Sequence, residues 1–205
     1  PQVTFTGIRQ PLFGTPVNFE LASSYVHAYR NEGQKGHVAE ISPTLSLPLN
    51  FGDYLQMLPS VGFSETAWDV NDGSDKNRAS RELFTLGLYG TTEVYRVFSV
   101  PVGTLDKIRH GIRPEVTYTY RPHAAQNVPD FVAVLPEKNS ITYALTNTLT
   151  AKLKEKIGFS YLEFLRLKVQ QTYNIEENRS AKPEEDTRHF SPIDIETDIL
   201  PSKYF

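Results

Sequence analysis

Cysteine is absent from the 205 residues, which excludes disulfides and thiolate-bound metal within them. Its absence alone says little about compartment. Methionine and tryptophan occur once each, whereas glycine, tyrosine and phenylalanine number 12, 11 and 12. That balance, with a mean hydropathy of -0.38, is common to β-barrels and secreted β-proteins. Long apolar runs are missing too. The longest stretch without a charge, Asn139 to Ala151, is shorter than the ~20 apolar residues of a spanning helix, which argues against a helical membrane protein. No basic block stands out and the net charge is -3, so nucleic acid is not an expected partner. No signal peptide is visible. The chain starts at Pro1 rather than Met and reads as a piece of something longer.

What the chain does contain is period-two alternation, densest between Asn139 and Glu177. Ile141, Tyr143, Leu145, Leu149 and Leu153 fall on one face, with Thr142, Thr146, Thr148, Thr150 and Lys152 on the other. Leu165, Leu167, Val169, Tyr173 and Ile175 likewise oppose Arg166, Lys168, Gln170, Thr172 and Asn174. Two such strands of roughly ten residues, apolar on one side and polar on the other, are what a membrane β-barrel shows. An antiparallel sheet of a soluble sandwich alternates in the same way, so this segment leaves both open.

Nine strand-like segments are expected, at 2–10, 16–30, 37–50, 54–69, 82–99, 107–121, 139–153, 160–175 and 188–199. No long segment keeps a helical period. The connections alternate between short and long. Short ones lie around Thr15-Pro16, Asn50–Asp53, Pro101–Asp106 and Lys154–Gly158, and long ones at Arg30–Gly36, Val70–Arg81, Pro122–Lys138 and Glu176–Thr187. Outer-membrane barrels have tight turns on one side and longer loops on the other. A Greek-key sandwich has no reason to alternate so regularly. Tyr25, Tyr29, Tyr54, Tyr95, Tyr118, Tyr120, Tyr161 and Tyr173 sit near strand ends, as interfacial girdles would, though strands favour tyrosine anyway. Pro43, Pro48, Pro59 and Pro114 interrupt strands and read as bulges that curve the sheet, or as weakened pairing where strands open.

Catalytic signals are lacking. His27, His37, His110, His123 and His189 show no metal-ligand spacing, and no nucleophile elbow, P-loop or paired-carboxylate motif is present. The chain is not expected to be an enzyme or to hold a metal or cofactor. Asn71-Asp72-Gly73-Ser74-Asp75 lacks the spacing and closing glutamate of a calcium loop and reads as a solvated hairpin loop. The densest polar cluster is His110 with Arg113 and Glu115. Arg113, Glu115, Thr117, Thr119 and Arg121 share one face, opposite Ile112, Val116, Tyr118 and Tyr120, and Arg166 and Lys168 fall on the matching face of their strand.

The succession of motifs then carries a resemblance. Phe13-Gly14-Thr15-Pro16 is followed by ISPTLSLP at 41–48, LQMLPSVGFSET at 55–66, and Tyr95-Arg96-Val97-Phe98. IRHGIRPEVTY at 108–118, with Tyr120 and Pro122, precedes Gln126 and Asp130. ITYALTNTL at 141–149 and VQQTY at 169–173 close the series. Their order and spacing resemble the C-terminal barrel domain of the LptD family of LPS-assembly proteins over essentially the whole chain. The resemblance implies an all-β fold: antiparallel transmembrane strands forming an arc of a large outer-membrane barrel, residues 1–205. It further implies a place in the Gram-negative outer membrane, insertion of lipopolysaccharide into the outer leaflet, a lipoprotein plug like LptE in the barrel, and delivery through a periplasmic Lpt bridge. The family's lateral gate would lie outside this chain. In such a barrel Arg113, Glu115, Arg121, Arg166, Lys168 and Gln170 would face the lumen, as candidates for contact with the plug or with the sugar-phosphate part of the lipid. A solvated lumen with internal ion pairs is the plainer alternative. Passive porin-like diffusion and a soluble β-sandwich binding module are the other functional readings.

Overall fold

The computed structural model describes residues 1–29, 34–71, 78–124, 128–175 and 189–200. Asp72 to Asp75 and Gln126 lie outside the described residues. The described residues form eleven strands: β1 Gln2–Pro11, β2 Asn18–Ala28, β3 Gly36–Ser46, β4 Leu49–Phe51, β5 Leu55–Val70, β6 Arg78–Thr91, β7 Val94–Val102, β8 Leu105–Arg121, β9 Lys138–Lys154, β10 Phe159–Asn174 and β11 Asp194–Ile199. All belong to one sheet, in the order β1-β2-β3-β5-β6-β8-β9-β10-β11, with β4 on β5 and β7 on β8. A sandwich needs two packed sheets, so the soluble-sandwich reading fails for the described residues. The sheet is not closed: β1 and β11 stand at the two ends of the strand order.

Nine strands lie on the main path, as the alternation predicts. Two expected segments are cut, each beside a proline. The 37–50 segment breaks into β3 and β4 at Leu47-Pro48, and Leu47 N–H donates to the Pro59 carbonyl at 3.0 Å. The 82–99 segment breaks into β6 and β7 at Thr92-Glu93. There Thr92 N–H and Thr91 Oγ1 both donate to the Pro114 carbonyl, at 3.3 and 3.0 Å. Proline returns no N–H, so the ladder cannot run through these points. At Pro43 the register is unchanged on either side, Ile41 facing Glu65 and Thr44 facing Gly62. Proline here removes rungs without inserting a residue, so no bulge forms at that position. Register shifts fall instead at Gly7–Gln10, Ser99–Val102 and Glu163–Leu165.

The short connections are held by backbone that glycine suits. Gly103 opens the two-residue β7–β8 turn at a φ of 57°, as hairpin turns with glycine in first place require, and Gly158 closes the β9–β10 turn at 85°. The short β4–β5, β7–β8 and β9–β10 connections alternate with the longer β5–β6, β8–β9 and β10–β11 ones, whereas β1–β2 and β2–β3 are nearly equal in length.

The chain forms two compact units. The first comprises residues 1–49, 58–88 and 119–139. Register places Val3, Phe5, Leu21, Tyr25, Ile41, Leu45 and Val61 on one of its faces. The opposite face carries small polar groups: Ser42 and Ser64 hydroxyls bond each other at 3.0 Å and donate to Glu40 Oε1 at 3.1 and 3.2 Å. The second unit comprises 50–57, 89–118 and 140–205. Its buried cluster is small: Leu105, Ala151 and Leu153, with Val100, Ile108, Leu162 and Phe164 against it. In both units the large apolar side chains are mostly outside. Phe63 is 42 % exposed, Leu86 42 % and Leu145 42 %, and no large side chain among the described residues is fully buried. A water-soluble fold hides such groups at ~1.5–3 kcal/mol each. A sheet that leaves them out on one face is built for an apolar surrounding.

Candidate functional site

The polar face of the second unit gathers polar and charged groups from three strands and from the break between β6 and β7. β8 alternates from Arg109 through Gly111 and Arg113 to Glu115. β9 contributes Thr146 and Thr148, and pairing sets Lys168 of β10 against Thr146 and Arg166 against Thr148. Glu93 enters from the break between β6 and β7. Glu93, Arg109, Gly111, Arg113, Thr146, Thr148, Glu163 and Arg166 line a polar cavity of about 280 Å³.

The charges are largely paired. Arg109 Nη2 donates to Glu93 Oε1, and its guanidinium lies 4.4 Å from the Tyr95 ring centroid. Arg113 Nη2 is 3.6 Å from Glu115 Oε1. Glu115 also accepts from the Tyr89 hydroxyl at 2.6 Å and from Thr146 Oγ1 at 3.4 Å. Arg113 and Arg109 are 46 % and 39 % exposed, so these pairs add at most ~1 kcal/mol each to stability. Their effect is to hold guanidinium and carboxylate groups in place over a wet surface. Gly111 keeps the floor open, because a Cβ there would meet Thr148 Oγ1 at 2.8 Å.

Of the residues expected on this face, Arg113 and Arg166 line the cavity and Glu115 anchors Arg113. Lys168 and Gln170 continue the same face along β10, opposite Glu196 and Asp194 of β11, while Arg166 faces Asp198. Arg121 belongs to the first unit and takes no part in this cluster. His110 is also separate: it lies on the other side of β8, where Nε2 meets Asn147 Oδ1 at 3.4 Å. Its grouping with Arg113 and Glu115 is corrected by the pleat, which turns residues an odd number apart to opposite faces.

Arg109, Glu93 and Glu163 were missed. Arg109 was legible by extending the Arg113 alternation back four residues. Glu163 was not, because the irregularity at Phe164 shifts the phase: Glu163 pairs with Thr150 but Leu165 with Leu149. Glu93 follows the break opposite Pro114, where no alternation carries through.

An antiparallel sheet with an exposed apolar face, an ion-paired polar face and alternating turns defines a stretch of transmembrane β-barrel wall. No helix among the described residues is long and apolar enough to cross a membrane. The family model of LptD, LPS transport system D, matches residues 1–131. The chain belongs to that family, and with it to the lipopolysaccharide transport system of the outer membrane. No curated protein matches the chain.

Proposed function

We propose that the chain, including the residues after 131, is one continuous stretch of barrel wall in a translocon that inserts lipopolysaccharide into the outer leaflet. The observation that carries this is the division of faces. In the second unit Leu145 stands on the apolar face and the Arg109–Arg113–Arg166 cavity on the polar one, and in this reading these are the lipid and lumen sides. A lumen lined this way solvates sugars and phosphates, which an apolar wall rejects. Acyl chains travel beside it in the bilayer. The chain carries no chemistry of its own in this reading; the driving force comes from upstream machinery of the Lpt system through the periplasmic bridge. A lipoprotein plug like LptE is the protein partner that the charged face suits.

The test is the pair Arg113→Ala and Arg166→Ala in the full-length parent protein. Loss of plug retention or a fall of surface lipopolysaccharide by severalfold, with the barrel still assembled, is expected. Normal plug binding and normal export in the double variant would remove these two residues from the function. Passive diffusion is the second reading, favoured only by the polar cavity itself. It predicts solute leakage without any defect in lipid export.

A further inference from the structure

We infer an anion site in the first unit, beneath the connection between β8 and β9, that takes a phosphate ester of a sugar. Arg81 carries it. Its residue is 7 % exposed, Nη2 donates to the Ala133 carbonyl at 2.9 Å, and Nε and Nη1 are buried with no hydrogen-bond partner. A guanidinium cannot shed its proton to escape that burial. A buried charge without a partner is costly, and an anion is what relieves it.

A second guanidinium stands close by. Arg121 Nε is also buried and unpartnered. β6 and β8 are neighbours in the sheet, and the Phe84 and Tyr120 rings lie 6.1 Å apart between centroids. That contact fixes the local level of the two strands. Arg81 and Arg121 are each an odd number of residues from those rings, so both point to the opposite, polar face. Strand spacing and rise put their Cα atoms roughly 8 Å apart. Guanidinium forks at that separation suit a phosphate held between them.

The described residues of the connection are held against the sheet. Val132 is 5 % exposed, Asp130 N–H donates to Gln34 Oε1 at 3.0 Å, and a Cβ on Gly36 would meet Phe131 Cζ at 2.7 Å. Glu137, the acid of the connection, pairs with His123 at 3.4 Å. The ligand class rests on the transport reading above, since lipopolysaccharide carries phosphorylated sugars; the positive, unpaired niche does not.

The experiment titrates the full-length parent protein, purified with its plug, with glucose 1-phosphate by calorimetry, and with glucose as control. Saturable binding of the phosphate ester alone is expected, weakened about tenfold in Arg121→Gln and in Arg81→Gln, as for loss of one charge-assisted bond. Arg121→Gln leaves the Ala133 contact intact, so a folding defect in the Arg81 variant does not hide the answer. Absence of saturable binding, equal binding of glucose, or affinity unchanged in both variants would overturn the site. Export is read separately as surface lipopolysaccharide, so failure of this site and failure of the transport reading give different results.

Discussion

Arg113 and His110 lie three residues apart and do opposite things, one in an ion-paired cavity and the other bonded to Asn147 on the far face. Parity decides such cases, and parity is what the alternation makes legible wherever a strand runs without interruption. The same rule gives the sharpest residue-scale prediction. Phe63 is 42 % exposed on the apolar face, and Ser64 beside it points to the polar face. Phe63→Arg should destabilise the folded barrel by ~2–4 kcal/mol near the bilayer centre, whereas Ser64→Arg should cost under ~1 kcal/mol. Denaturant unfolding of the full-length protein in lipid vesicles checks the pair; a greater cost for Ser64→Arg would mean the faces are reversed, and equal costs would contradict the division of faces. Gly36→Ala offers a second check. Its new Cβ would clash with the Asp69 carbonyl oxygen and meet Phe131 Cζ at 2.7 Å. A loss of ~1–3 kcal/mol is expected, together with faster proteolysis of the 128–135 connection.

At the scale of elements, strand existence and the rhythm of turns were readable, because side-chain alternation and turn residues are local properties. The places where the ladder fails were not. Proline marks them, but what happens depends on the partner strand. Pro43 leaves the register intact, while Pro114 splits β6 from β7. The irregularity at Phe164 has no sequence mark at all, and it brings Glu163 to the cavity with Arg166. Pro114→Ala restores a donor opposite Thr91 and Thr92. Hydrogen exchange at Thr92 and Glu93 should then slow by up to about tenfold, as one gained hydrogen bond of ~0.5–1.5 kcal/mol allows. Unchanged exchange would show that the break is set by Glu93 and its contact with Arg109 rather than by the missing donor.

For the whole molecule, the barrel class and the family were legible from the order of motifs, and the match over residues 1–131 agrees. The pairing of charges across strands was not, since it depends on register between segments far apart in the chain. β11 is the clearest instance: Asp194, Glu196 and Asp198 face Gln170, Lys168 and Arg166. An open sheet ending in β1 and β11 leaves two unpaired edges, which a bilayer does not tolerate. Residues 1–205 expressed alone should therefore aggregate in lipid vesicles rather than insert, as light scattering and protease protection would show. The central claim is transport of lipopolysaccharide, and depletion of the parent gene tests it most directly. Newly made lipopolysaccharide should stall in the periplasm or inner membrane while its surface level falls. Normal surface lipopolysaccharide, with a change only in small-solute permeability, would contradict the account and make this chain the wall of a passive channel.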